Sequence, residues 1–325
     1  KIRNPRGIYV MENSYDDRGR TIKQSFADGG EIRYDYQDGL SRTLVTEQNG
    51  NKVAYVHDER FRNVKTIYID GEERFTYNDR NQLVSKTDKN GNRTKISYDD
   101  KGNTTQIIFP DGAKHNMTYD ASNHLISMAV NGVQKVKNTY DAEGNLIKIT
   151  DALGRSRKVA YDKKGNAIKI ELPDGSTVAL DYDDNGNITR IAEASGRCLA
   201  YEYDSCNRAV CIIDGNGNRT RFAYDAYNQI TSVTNAAGKC RTYEYSKNGK
   251  VVGTTDFNGS VIRQEYNVMN QVKSLTRPDG GTTCMEYDQM QNLSKKILPN
   301  GAEISYVYDS LNRMEQMLLP TGGVV

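Results

Sequence analysis

The sequence has no tryptophan, only 6 prolines, 3 histidines and 5 cysteines in 325 residues. The histidines, His57, His115 and His124, have no companion at metal-binding or triad spacing, which argues against a histidine-based catalytic centre. The cysteines form no Cys-x-x-Cys, and their odd number makes free thiols the default. No apolar run approaches the ~20 residues a membrane-spanning helix needs, so membrane insertion is not expected. An excess of one charge is missing too. Net charge is +2 from 44 basic and 42 acidic residues without a basic stripe, so neither nucleic acid nor an anionic membrane is an expected partner. His-Glu-x-x-His, Gly-x-Ser-x-Gly and a phosphate-cradling glycine loop are absent. The start at Lys1 has no charged-then-apolar leader and reads as a mature product or a cut-out fragment.

Tyrosine, by contrast, is plentiful, at 22, and it keeps time. Anchors fall at Tyr15, Tyr36, His57, Tyr77, Tyr98, Tyr119, Tyr140, Tyr161, Tyr182, Tyr203, Tyr224, Tyr245, Tyr266, Tyr287 and Tyr308, spaced by 21 residues except for 20 between His57 and Tyr77. Asp follows the anchor in 11 of 15 units, as at Asp99, Asp141, Asp162, Asp183 and Asp225. Four residues after the anchor comes Gly or Asn in 12 of 15 units, as at Gly102, Gly144, Gly165 and Gly186. These two residue types best tolerate the left-handed conformation. Fourteen residues after the anchor Gly returns in 14 of 15 units, as at Gly112, Gly154, Gly175 and Gly238. Pro110, Pro173, Pro278, Pro299 and Pro320 lie two residues before that second Gly. Proline presets the second residue of a tight turn and glycine closes it with positive φ. The anchor's Asp is suited to cap the first turn. Each unit therefore holds two turns about ten residues apart.

Between the turns the chain alternates. Thr94, Ile96 and Tyr98 share one face of a strand, and Arg93, Lys95 and Ser97 the other. In the second strand the apolar residues stand three apart, as in Leu146/Ile149 and Ile188/Ile191. That spacing puts one on each face or implies a bulge. No stretch sustains a helical period. The expected fold is all-β: a long antiparallel sheet of tandem ~21-residue two-stranded hairpins, its accumulated twist coiling it into a spiral, hollow shell segment. Residues 1–325 read as a single array of about fifteen units without capped ends, a fragment of a larger protein.

Chemistry is thin beside this regularity. Asp88-Lys-Asn90-Gly91-Asn92 and Asp214-Gly-Asn216-Gly217-Asn218 resemble the start of a calcium loop, but both lack the bidentate Glu, and Asx-turns explain the same residues. Asn-x-Ser/Thr sequons, such as Asn92, Asn103 and Asn187, arise from an Asn/Thr-rich composition. Cys198 and Cys240 share a phase too far apart to bridge, whereas Cys198 and Cys211 admit a diagonal placement on adjacent strands. No cofactor or metal is called for.

Units such as Tyr140-Asp-Ala-Glu-Gly-Asn-Leu-Ile-Lys-Ile-Thr-Asp-Ala-Leu-Gly resemble the YD repeat of the RHS (rearrangement hot spot) family over essentially the whole chain. That family includes bacterial polymorphic toxins, cell-wall-associated proteins, the B and C subunits of insecticidal toxin complexes, and teneurins. The resemblance implies a β-strip spiralling into a hollow shell, which in the toxin members encloses a C-terminal toxic domain. Their closing motif around Asp-Pro-x-Gly has no counterpart here, because the chain contains no Asp-Pro, so self-cleavage is not carried over. Other departures are Leu40 and Phe61 at the turn Gly/Asn position, His57 at an anchor, and a second turn shifted to Gly132. The expected function is a non-catalytic shell segment, secreted or on a bacterial surface. Its partner would be an enclosed toxin or effector domain of the parent protein, or a neighbouring shell segment. A glycan- or protein-binding adhesion module is the alternative, with exposed Tyr and Asn as its contacts.

Overall fold

The structure, a computed structural model, describes residues 1–3 and 9–325. Among these there are 31 β-strands, one three-residue 3-10 turn at Asp38–Leu40, and no α-helix. The chain forms two compact units, Glu72–Phe222 and Lys1–Gly71 with Ala223–Val325.

Within Glu72–Phe222 every strand pairs antiparallel with its sequence neighbours. Arg93–Tyr98 shows how. On one side Arg93, Thr94 and Lys95 oppose Thr87, Lys86 and Ser85. On the other, Lys95, Ile96 and Ser97 oppose Ile108, Ile107 and Gln106, and Tyr98 then opposes Thr104. The jump from Gln106 to Thr104 leaves Thr105 without a partner, which is a β-bulge. The same bulge follows each later anchor: Tyr119 opposes Leu125, Tyr140 Leu146, Tyr161 Ala167, Tyr182 Ile188 and Tyr203 Ala209. The extra residue settles the three-apart spacing. Ile188 and Ile191 oppose Tyr182 and Leu180, which stand two apart on one strand, so both isoleucines lie on the tyrosine face.

A sheet one layer thick buries little completely. Thr94, Ile96 and Tyr98 are half-buried, while Arg93, Lys95 and Ser97 are exposed. Among the described residues the buried hydrophobic ones are Val53, Ala54 and Cys211. Each half-buried side chain gains only part of the ~1.5–3 kcal/mol of full burial, and repetition carries the stability.

The unit Lys1–Gly71 with Ala223–Val325 follows the same rule, with bulges where Tyr245 opposes Val251, Tyr266 Val272, Tyr287 Leu293 and Tyr308 Met314. Its two segments touch through their turns. Asn49 Nδ2 donates to the Ser310 carbonyl at 3.3 Å. Asn51 Nδ2 donates to the same oxygen, and Gln291 Nε2 to the Asp28 carboxylate. Repeats far apart in sequence thus meet edge to edge.

The irregular units have local causes. The 20-residue interval comes from a connection of only Ile69 and Asp70 between Asn63–Tyr68 and Gly71–Tyr77. Asn131 and Gly132 take φ of +50° and +80°, so the second turn of that unit is a two-residue hairpin turn and not the longer loop.

Candidate functional site

The two turns of a unit are one device used twice. At Tyr98 the Asp99 N–H donates to the Asn103 carbonyl at 3.0 Å, and the Gly102 N–H to the Asp99 carbonyl at 3.1 Å. Asp99 Oδ1 accepts from the Lys101 N–H at 3.0 Å and the Asn103 N–H at 2.8 Å, and Oδ2 accepts from Asn103 Nδ2 at 2.9 Å. Asp141, Asp162 and Asp183 repeat this with Asn145, Asn166 and Asn187, and Asp225 accepts from the Tyr227 and Gln229 N–H groups. The second turn has the same backbone: the Phe109 N–H donates to the Ala113 carbonyl and the Gly112 N–H to the Phe109 carbonyl. Pro110 occupies the position where its fixed φ costs nothing. Gly102, Gly144, Gly165 and Gly186 lie at φ +94°, +87°, +85° and +84°, and Gly112, Gly154, Gly175 and Gly238 at +83°, +78°, +85° and +76°. Asp88 and Asp214 are spent in this way too, each accepting from the two Asn N–H groups and the Asn amide of its own loop.

The anchor phenols reach into the preceding unit. Tyr98 donates to the Leu83 carbonyl at 2.9 Å. Tyr140 donates to Leu125 at 3.1 Å, Tyr161 to Leu146 at 3.0 Å and Tyr182 to Ala167 at 2.8 Å. Tyr36, Tyr119, Tyr203, Tyr245, Tyr266, Tyr287 and Tyr308 do the same, always to the residue fifteen earlier. Tyr224 ends its strand in the same way before its Asp225 turn. The acceptor is the first residue after the preceding turn, at the bulge. Beyond that bulge the ladder to the next strand stops two residues short, at Lys148↔Lys158 for the Leu146 acceptor and Lys169↔Ala179 for Ala167. The bulge removes a ladder bond and the tyrosine hydroxyl takes the carbonyl left over. A main-chain acceptor of this kind leaves no mark in the sequence.

A second link went unnoticed in the sequence: the residue five after the anchor. Asn103 Nδ2 bonds its own Asp99 and also Asn123 Oδ1 of the next turn, at 2.9 Å. Asn187 does so to Asn207 at 3.0 Å and Asn292 to Asn312 at 3.1 Å. Where this position is Gln, the amide reaches the next turn's carbonyl, as Gln229 does to Gly249 at 3.0 Å. The signal in the sequence was the recurrence of Asn or Gln at this position, in 8 of 15 units. His124 holds this slot in its unit, with Nδ1 3.0 Å from Asp120 Oδ2 and its ring stacked on Tyr140. His115 meets Phe109 edge to face.

Charged arms cover small residues on the other face. Arg219 pairs with Glu202 at 2.7 Å beside buried Cys211, and Arg93 donates to buried Ser85 at 2.8 Å. The five cysteines are all free. Cys211 opposes Glu202 and Arg221, whereas Cys198 opposes Ala192, so the diagonal placement the sequence admitted for Cys198 and Cys211 is not realised. Cys198 lies four residues along the strand from Glu202, beyond disulfide reach.

The hydrogen bonds set the titration behaviour. The Asn103 amide holds Asp99 below the usual carboxylate value, as Asn145, Asn166 and Asn187 do for Asp141, Asp162 and Asp183. Burial pushes the Tyr182, Tyr203 and Tyr245 phenols up.

This arrangement is architectural: eleven anchor phenols bond the preceding hairpin, and at Gln82, Asn103, Asn187, Gln229, Gln271 and Asn292 an amide along the turn edge also bonds the next turn. The sequence profile of the teneurin YD-shell family matches residues 60–197 and 192–325, and the chain belongs to that family. The fold is shared with solved toxin-complex structures. A chain in the crystal structure of TcdB2-TccC3 is 16% identical with a TM-score of 0.62, over 97% of this chain and 20% of that one. The crystal structure of TcdB2-TccC3-TEV gives 16% and 0.63, over 94% and 19%. The Photorhabdus luminescens Tc holotoxin pore with the mutation TccC3-D651A gives 16% and 0.63, also over 94% and 19%. The chain therefore spans about a fifth of the length of the solved chains it matches. No curated protein sequence matches it.

Proposed function

We propose that this chain is a non-catalytic wall segment of a larger YD-repeat shell, which surrounds, shields or displays an effector domain carried by the same longer protein. The observation behind this reading is the use made of the periodic positions: Asp and Gly close each turn, and tyrosine and Asn hold one hairpin against the next. The edge-to-edge contacts of Asn49 with Ser310 and Gln291 with Asp28 suit a continuous wall. Family membership and the toxin-complex fold favour a secreted or surface-borne bacterial protein. An adhesion role is less favoured, because the phenols and amides that would meet a glycan already bond within the chain. Electron microscopy of the purified chain tests the wall: a curved strip one sheet thick is expected, and a solid two-sheet sandwich overturns it. Limited proteolysis of the parent protein tests the cargo. The effector domain should resist cleavage until the shell is unfolded, and digestion at the rate of the free domain overturns enclosure.

A further inference from the structure

The contacts between distant repeats keep a register. Asp28, thirteen residues after Tyr15, accepts from Gln291, four after Tyr287. Asn49, thirteen after Tyr36, donates to Ser310, two after Tyr308. The first unit thus meets the fourteenth and the second meets the fifteenth, each time second turn against first turn. All four turns lie in the compact unit Lys1–Gly71 with Ala223–Val325.

The covered first turns differ from the open ones in the residue three after the anchor. In all eleven units from Tyr15 to Tyr224 that residue is exposed, and Tyr227 is the one bulky apolar side chain among them. Several are cations bonding along the edge to the next turn, as Arg18 does to Asp38, Arg80 to Asp100, Lys101 to Ala121 and Lys164 to Asp184. In the last three units the position holds Met269, Met290 and Leu311, each half-buried. Met269 lines a cavity of about 500 Å3 with Asp28, Gly29, Gly30, Gln48 and Gln291, where the two segments meet. The facing turn is bare there: a Cβ on Gly30 would stand 2.6 Å from Gln48 Oε1. A covered edge strips the water that a cation keeps on an open one, and flexible thioethers suit an uneven gap.

Gln291 is the second difference. It stands four after its anchor, where twelve units carry Gly or Asn, and its φ is +69°. Its N–H closes the turn on the Asp288 carbonyl at 3.0 Å, as glycine does elsewhere, so the turn itself makes no use of the long side chain. The amide goes across the joint to Asp28. Left-handed backbone strains such a residue, and strain of this kind persists where a contact holds it.

We propose that Met269, Met290, Leu311 and Gln291 form a recognition edge whose partner is the glycine-bearing second turn of a repeat thirteen units earlier. The apolar side chains select which turns are covered, and Gln291 fixes the register in which they meet. This deepens the wall reading and rests on it.

Hydroxyl-radical footprinting of the full chain, read at single residues by mass spectrometry, tests the edge. Met290→Glu installs the side chain that Glu143 presents at this position on an open edge. Met269 and Leu311 should then label about threefold faster, while Met117 and Met128, in Glu72–Phe222, keep the parent rate. Gln291→Gly relieves the turn of strain but removes the amide, so Met290 should label faster although the turn residue is the common one. Met290→Leu keeps the apolar contact and should keep the parent rates, as should Lys164→Glu on an open edge. Far-UV circular dichroism confirms that each variant folds. Unchanged labelling of Met269 and Leu311 in folded Met290→Glu, or of Met290 in Gln291→Gly, overturns the proposal. An equal rise at Met117 and Met128, or with Lys164→Glu, also overturns it, because the loosening would then be general. None of these results alters the one-sheet strip expected by electron microscopy, so failure of the edge and failure of the wall are told apart.

Discussion

Replacing Tyr161 by Phe removes one oxygen and with it the bond to the Leu146 carbonyl at 3.0 Å. The ring stays in place, so the change isolates the hydroxyl. A hydrogen bond of this kind contributes a net ~0.5–1.5 kcal/mol, and the carbonyl at the half-exposed bulge regains water, which puts the loss near ~1 kcal/mol. Tyr119 and Tyr203, each two units away, make the same bond at 2.9 and 2.8 Å. Two units span ~19 Å of sheet, beyond the range at which substitutions couple, so the triple Tyr→Phe variant should lose about 3 kcal/mol. Tyr15→Phe is the control: that hydroxyl only accepts from Asn13 Nδ2, at 3.2 Å, and the residue is 56% exposed. Urea unfolding reports the total. Native-state hydrogen exchange reports the location, with amides flanking the Leu146 bulge exchanging roughly fivefold faster in the single variant. A triple variant within ~0.5 kcal/mol of the parent, or a Tyr15→Phe loss equal to that of Tyr161→Phe, would refute the view that the phenols repair the bulges.

Other predictions address the turns. Gly165→Ala should cost about 1–2 kcal/mol although nothing lies within 4 Å of the added Cβ, because φ is +85° and the cost is conformational; an unchanged urea midpoint would count against this. Asp99, Asp141, Asp162 and Asp183 have their carboxyls held below the ordinary 3.8. Their stabilisation is present above 3.8 and is lost as pH falls through the lower folded value, so circular dichroism should show acid unfolding only below about pH 4. The phenols of Tyr182, Tyr203 and Tyr245 are shifted above the ordinary 10.0. Their stabilisation is complete below pH 10 and fades as the folded values are passed, and tyrosinate absorbance should show a late-titrating class that disappears in urea. Deleting Asp141–Tyr161, one whole unit, should leave the β-spectrum and cooperative unfolding intact, and loss of cooperative unfolding would count against interchangeable units.

The period was legible because it is written in residues with special backbone needs. Gly102 and Gly112 mark left-handed positions and Pro110 a fixed φ, so both turns could be placed from the chain alone. The face of Arg93–Tyr98 followed from alternation. Leu146/Ile149 was undecidable in sequence, since a bulge and a face switch give the same spacing, and only the pairing of Tyr140 with Leu146 separates them. The phenol acceptors were illegible for a different reason: a main-chain carbonyl carries no side-chain signature, so Tyr161 names no partner in the sequence. The meeting of Asn49 with Ser310 depends on how sheet twist accumulates over many units, which no local window contains.

In the irregular unit the loss of the bulge goes together with the loss of the anchor tyrosine. Were the ring wanted only for apolar cover, position 57 would suit Tyr or Phe as well as any other anchor. Instead the first unit to lose its bulge, at Tyr36, is followed by the one anchor that is not tyrosine, and Arg42, which elsewhere would hold the stranded carbonyl, is paired on both sides. The dependence should run in reverse. Shortening Asp38–Ser41 to the regular loop by deleting Leu40, with one residue inserted after Arg42 to restore the bulge, should make His57→Tyr stabilising by about 1 kcal/mol, the value of one phenol–carbonyl bond. In the unaltered background the same substitution should add no such bond. Equal effects in the two backgrounds, read as a double-mutant cycle, would separate the tyrosine from the bulge.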